Sequence, residues 1–137
     1  MLKLLTVLIG ISLVTFLLVS CGTDEEPEDI SEQTGYRRIS ADEAYQKMRT
    51  DSAFILLDVR TPQEHAEMRI PGSILIPDTE IAKRAEIELP DKNALILVYC
   101  KLGRRSETAA NELISMGYTY VFDFGGIVDW PYEIEKD

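Results

Sequence analysis

The chain has 137 residues and a formal net charge of −10, with 24 acidic against 14 basic residues, one histidine and two cysteines. This acidity excludes a nucleic-acid-binding protein, which depends on a net basic face, and otherwise describes a solvated surface that keeps a domain soluble. Three positive charges within five residues, Lys101, Arg104 and Arg105, are a local exception that suggests an anionic ligand.

At the start of the chain, Lys3 precedes an apolar stretch from Leu4 to Val19, and Leu18-Val19-Ser20-Cys21 follows. A short charged start, an apolar middle and small residues before a cut form a secretory signal. The four residues ending in Cys21 resemble the bacterial lipobox, in which the cysteine receives lipid before cleavage at its amino side. Residues 1–20 therefore read as a lipoprotein signal peptide and Cys21 as the lipidation site. The expected location is extracytoplasmic and lipid-anchored to the cell membrane, on the periplasmic side or at the cell surface. Two other readings are an uncleaved anchor, since about 18–20 apolar residues span a bilayer, and an incidental cysteine after an ordinary signal. The lipoprotein is preferred because a rare residue falls where the processing chemistry needs it. Two or more acyl chains on Cys21 would hold the domain at the membrane, where one binds only marginally.

Removing residues 1–20 takes away Lys3 and no acid, so the net charge moves from −10 to −11. With Cys21 lipidated, Cys100 has no partner in the chain. A permanent disulfide and a dithiol C-x-x-C mechanism are then both excluded, and covalent chemistry at Cys100 must be completed by an external acceptor.

Residues 21–35 are polar and acidic with almost no apolar anchors, and read as a flexible tether spanning on the order of 20 Å. Residues 36–135 suffice for one domain with a single core. Ser40-Ala41-Asp42-Glu43 fits a capping box, after which Ala44, Tyr45 and Met48 supply one apolar helical face. Phe54-Ile55-Leu56-Leu57, ending at Asp58, is the continuous apolar run of a strand buried on both faces. Thr61-Pro62-Gln63-Glu64 is a second capping box with proline at the first helical position. Pro71-Gly72 marks a turn, and Ile74-Leu75-Ile76, stopped by Pro77, a short strand. Thr79 to Glu88 predicts an amphipathic helix and Leu95 to Tyr99 a strand. Ser106 to Met116 predicts a helix capped by Gly117. Tyr120-Val121-Phe122 is a last strand, followed by a Gly125-Gly126 turn. The alternation of strand and helix, starting and ending on a strand, predicts an α/β domain with a mainly parallel sheet covered by helices on both faces. Ligands in such sheets sit beyond the carboxyl ends of the strands, where Cys100 lies.

From Cys100 the chain passes through Lys101-Leu102-Gly103-Arg104-Arg105 into the Ser106 helix. Six residues of this kind can curl so that successive N–H groups point inward as an anion-binding nest, with Gly103 permitting backbone geometry a side chain would block. Helix dipole and amides together favour a thiolate at Cys100. A merely packed, inert cysteine is the alternative, but burying Cys100 would bring three charged neighbours along.

Tyr99-Cys100-Lys101-Leu102-Gly103-Arg104-Arg105-Ser106 resembles the active-site loop of rhodanese-like sulfurtransferases, C-x-x-G-x-R-S. Leu57-Asp58-Val59-Arg60-Thr61-Pro62-Gln63-Glu64-His65 resembles the DVR-x-P-x-E segment of that family. Arg69-Ile70-Pro71-Gly72-Ser73-Ile74-Leu75-Ile76-Pro77 resembles its HIPGA-x-x-IP segment, and Gly125-Gly126-Ile127-Val128-Asp129-Trp130 its terminal GG-x-x-x-W. The four segments occur in the family's order and cover essentially all of residues 36–135. Met68 and Arg69 depart from the Gly-His that many members carry, at a position expected to alter packing or surface only.

The resemblance implies a three-layer α/β/α fold with a five-stranded parallel sheet. It also implies a double displacement in which Cys100 takes a sulfane sulfur, from a small anionic donor such as thiosulfate, and passes it to cyanide or a thiol. The amides of Lys101, Leu102, Gly103, Arg104 and Arg105 would cradle the persulfide. Lys101 and Arg104 would steer the anion, and Arg105 would hold the loop in shape or contact the donor. No cofactor and no metal are implied. Asp58 and Arg60 are expected to tie the loop region to the scaffold as a structural ion pair, and His65 to lie on the surface. Phosphatases and arsenate reductases on this fold have loops one residue longer between cysteine and arginine, which disfavours them here. The alternative of another class is a membrane-tethered binding or sulfur-carrier module without multiple turnover.

Overall fold

A computed structural model describes residues 35–137. The signal-like segment, Cys21 and the acidic stretch up to residue 34 lie outside the described residues. The elements in chain order are β1 (Arg37–Arg38), α1 (Ala41–Thr50), β2 (Phe54–Asp58), α2 (Pro62–Glu67), β3 (Ile74–Leu75), α3 (Ile81–Glu88), β4 (Leu95–Cys100), α4 (Arg104–Ser115) and β5 (Tyr120–Gly126). The strands form one five-stranded sheet in the order β1-β5-β4-β2-β3, and every pairing is parallel.

Local chemistry starts the first two helices. The Ser40 hydroxyl accepts from the Glu43 amide at 3.1 Å while the Glu43 carboxylate accepts from the Ser40 amide at 2.7 Å, which satisfies two donors that a bare helix end leaves unpaired. Thr61 and Glu64 repeat the arrangement at α2, with Pro62 at its first position. The third helix begins at Ile81, preceded by a 3-10 turn over Asp78–Glu80, rather than at Thr79.

Alternation along the strands sorts the core into two layers. Ile96, Val98 and Cys100 of β4 join Leu57, Ile81, Ala85, Ala109, Ala110 and Leu113 on the side covered by α3 and α4. Leu97 and Tyr99 point the other way and pack with Ala44 of α1, Phe122, Phe124, Ile127 and Trp130. Trp130 closes that layer, its ring 5.4 Å from Phe124 and 6.0 Å from Tyr45. Arg69, which replaces the usual histidine, fastens the end of the chain. It bridges Glu135 through the backbone and pairs with Glu135 at 3.2 Å and Asp137 at 2.8 Å.

Gly125 and Gly126 do not form the turn that their composition suggests; both belong to β5, where the pairing with β4 shifts register between Val98 and Cys100. The physical reason is a close approach. A Cβ on Gly126 would overlap the Lys101 carbonyl and come within 2.8 Å of the Leu102 Cα, so β5 can lie along the loop after Cys100 only as glycine. Gly126→Ala is therefore expected to lower stability by about 1–3 kcal/mol through overpacking. Urea unfolding should give a reduced midpoint with an unchanged slope.

Candidate active site

Cys100 ends β4, and its side chain lies on the α4 face of the sheet, with the residue only 1 % exposed. Contrary to expectation, its burial brings no charged neighbour along, because the chain turns outward after the strand and leaves Lys101 and Arg104 exposed. The chain then turns through Lys101, Leu102 and Gly103 into α4. Gly103 is the residue at the helix start, with φ of +98°, a left-handed conformation that a side chain would strain. No side chain caps this helix; the Gly103 amide donates to the Cys100 Sγ at 3.0 Å instead. The helix α4 begins at Arg104, two residues before the Ser106 expected from its sequence.

The expected ring of amides around the sulfur is, in this state, one amide. The N–H groups of Lys101, Leu102, Arg104 and Arg105 donate to no acceptor among the described residues. Ser106 lies beneath. Its hydroxyl sits 3.5 Å from Sγ, 3.1 Å from the Gly103 carbonyl and 3.3 Å from that of Gly125, and it couples the sulfur to both the loop and β5.

The basic residues divide into two kinds. Lys101 and Arg104 are exposed and form no ion pair among the described residues, and Leu102 between them is 74 % exposed. Arg105 is engaged: both its terminal nitrogens donate to the Glu64 carboxylate at 2.8 Å. Of the two roles open for Arg105, the geometry gives the holding one, joining the start of α4 to the start of α2. Arg105 above all, and the Thr61 amide and hydroxyl as well, hold the Glu64 carboxyl down at about 2 against an ordinary 4.5.

Asp58 and Arg60 form an ion pair with contacts of 2.6–3.1 Å, but on the sheet face opposite Cys100. They do not touch the loop. Asp58 also accepts from the Tyr99 hydroxyl at 3.0 Å, so their support reaches Cys100 only through its neighbour in the chain. Burial, followed by the nearby Asp58 charge, pushes the Tyr99 phenol up to about 12. His65 is not a free surface residue. Its Nδ1 lies 2.9 Å from Asp58 Oδ2 with the side chain 18 % exposed, because the first turn of α2 turns it back over the end of β2.

Sequence reasoning passed over Glu64, Ser106, Asp123 and Arg38 as site residues. Ser106 was written in the loop motif, and Glu64 in a capping box with a second partner not visible locally. Asp123 of β5 is fully buried, and Arg38 reaches it from β1 at 2.8 Å; nothing in the local sequence signals that pair.

These features define an α/β domain with a single cysteine at the carboxyl end of its central strand, held over a helix start and flanked by unpaired cations. A rhodanese-like domain model matches residues 40–132, and the chain belongs to that family. It is 41% identical over 73 residues to the thiosulfate sulfurtransferase PspE of Escherichia coli, covering 53% of this chain and 70% of that protein. It is 38% identical over 98 residues to YrkF of Bacillus subtilis; that match covers 71% of this chain and only 52% of the relative, so the chain spans about half of that longer protein. A solved structure described as rhodanese with anions, from E. coli, superposes with a TM-score of 0.57 at 38% identity, over 62% of this chain and all of that one.

The Glu64–Arg105 pair carries a pH signature. A carboxyl whose folded value lies below its unfolded one contributes stability that is complete above the unfolded value and disappears as pH falls through the folded one. Glu64→Gln is expected to cost roughly 1–3 kcal/mol near neutral pH. The difference from the parent protein should shrink from pH 4.5 downward and vanish near pH 2, as read from urea midpoints taken across that window.

Proposed function

We propose that the protein is a sulfurtransferase that moves a sulfane sulfur from an anionic donor such as thiosulfate to a thiophilic acceptor, cyanide or a thiol, through a persulfide on Cys100. The observation that supports this reading most directly is the Gly103 amide on Sγ beside loop amides that have no acceptor of their own. In the first half-reaction the Cys100 thiolate attacks the outer sulfur of thiosulfate. An Sγ–S bond forms, the sulfur–sulfur bond of the donor breaks, and sulfite leaves with the electron pair. In the second, the acceptor attacks the outer sulfur of the persulfide, and Cys100 departs as the thiolate.

Each step uses residues at hand. Lys101 and Arg104 attract the donor against the negative charge of the rest of the chain. The free amides of the loop and of the first α4 turn stabilise the outer sulfur of the persulfide. The Ser106 hydroxyl accepts from the thiol and turns its own hydrogen toward the sulfur once the thiolate forms. Cys100 is the only cysteine among the described residues, so no disulfide within them competes for the persulfide.

Incubation with thiosulfate should raise the intact mass by one sulfur atom, with the gain on the Cys100 peptide and reversed by cyanide. Cys100→Ser should lose both the mass gain and thiocyanate production, and an unmodified Cys100 after such incubation would sink the reading. The near-complete covering of Sγ favours a second reading, a carrier that loads once and delivers to a dedicated protein. A persulfide that forms stoichiometrically but gives no turnover with cyanide or small thiols would select it.

The proposal extends to location: an extracytoplasmic domain held at the membrane by lipid on Cys21. Metabolic labelling with a fatty-acid analogue should mark the parent protein in the membrane fraction. Cys21→Ser should abolish the label and leave the chain in its unprocessed form.

A further inference from the structure

Beside the Gly103 turn, β1 and β5 bring one cation and one anion together. Asp123 is fully buried; its Oδ1 accepts from the Gly125 amide at 2.9 Å, while its Oδ2 has no hydrogen-bond partner among the described residues and lies 2.8 Å from Arg38 Nη2 as an ion pair only. The Gly125 carbonyl in turn lies 3.3 Å from the Ser106 hydroxyl, which lies 3.5 Å from Cys100 Sγ. The Arg38 guanidinium also covers the loop, since a Cβ on Gly103 would stand 3.3 Å from Arg38 Nη1.

A continuous path of contacts therefore runs from the Arg38–Asp123 pair to both groups that touch the sulfur, Gly103 and Ser106. Burial drives the Asp123 carboxyl upward against the opposing pull of the Gly125 amide, Ser106 and Arg38. A buried anion joined through Gly125 and Ser106 to a nucleophilic sulfur opposes the charge that the sulfur must carry, unless a cation neutralises it.

We infer that Arg38 and Asp123 act as a charge-balanced positioning pair that sets the reactivity of Cys100. Asp123 orients the Gly125 peptide and, through it, the Ser106 hydroxyl, while Arg38 cancels the Asp123 charge and holds the Gly103 turn. The inference rests on Cys100 being the reactive group of the proposed transfer, but it concerns the ionisation of the thiol and not the identity of the sulfur donor. Other charges face the same loop: Lys101 within it, Arg104, Arg105 and Glu107 from α4, Glu64 from α2 and Asp78 from the turn before α3. Glu107 lies 3.8 Å from Arg38 and takes the Tyr36 hydroxyl at 3.0 Å, and Glu64 is neutralised by Arg105. Asp123 is the carboxylate of this group that is completely buried.

The test is the rate of Cys100 alkylation by iodoacetamide as a function of pH, which needs neither sulfur donor nor acceptor. Asp123→Asn keeps the shape and an oxygen for the Gly125 amide but removes the negative charge, and should move the midpoint of the profile down by about 0.5–1 pH unit. Arg38→Gln should move it up by a comparable amount, Arg38→Lys should restore most of the shift, and the double variant should return toward the parent. A structural role alone would not displace the two single variants in opposite directions. Thermal melts of each variant establish that the folded protein is being measured. Midpoints that stay fixed in Asp123→Asn, or that move the same way in both single variants, overturn the inference. Either result leaves the persulfide reading to be judged by its own mass measurement.

Discussion

At the carboxyl end of β4 two successive side chains leave the sheet on opposite faces, and each is fastened before the chain can turn. Tyr99 is tied to Asp58, to Ser73 and to the Ile70 amide on one side. Cys100 is held by the Gly103 amide and Ser106 on the other. Because the side-chain period of a strand is two, a slip of one residue in the pairing of β4 would exchange the two faces and place a phenol where the sulfur belongs. Register is secured on both flanks, since β2 pairs with β4 from Phe54 to Asp58 and β5 pairs with it from Tyr120 onward. The Asp58 network, on the opposite face of the sheet from the sulfur, thus supports the site by fixing the direction in which Cys100 points.

The charges about the loop are arranged by the same economy of contacts. The chain as a whole is strongly acidic, yet several carboxylates near the loop contact a guanidinium, Glu64 that of Arg105 and Asp123 and Glu107 together that of Arg38. These contacts weaken the field of the carboxylates at the sulfur, while Lys101 and Arg104 form no ion pair among the described residues. An exposed pair such as Arg38–Glu107 adds little to stability. The buried Asp123 differs, because leaving it without Arg38 would strand a charge in a medium that solvates it poorly.

What could be read from the sequence was what neighbouring residues decide. Both capping boxes, the apolar strands β2 and β4 and the order of elements depend on residues a few positions apart, and the structure has them in place. The first strand of that alternation had no residues assigned to it, because two exposed arginines carry no apolar run; they become β1 only by pairing with Phe122 and Asp123. The Gly125-Gly126 pair has the composition of a turn, and only the approach of the Lys101 carbonyl, far away in sequence, makes it strand. His65 looked like a surface residue because its partner, Asp58, belongs to the preceding strand. In the site, the nucleophile and its loop were legible from one continuous segment. The residues that hold that segment, Glu64, Arg38 and Asp123, were not, since each acts through a contact made by the fold.

Arg104 and Arg105 illustrate how one helix start can both build and serve a site. Successive residues of a helix project about 100° apart, so two adjacent arginines cannot share a direction. Arg105 turns toward α2 and is consumed by Glu64, which fixes where α4 begins relative to the strand that carries Cys100. Arg104, one step earlier, faces solvent without a partner among the described residues. The same helix start that follows Cys100 therefore leaves one guanidinium structural and the other free to meet an anion.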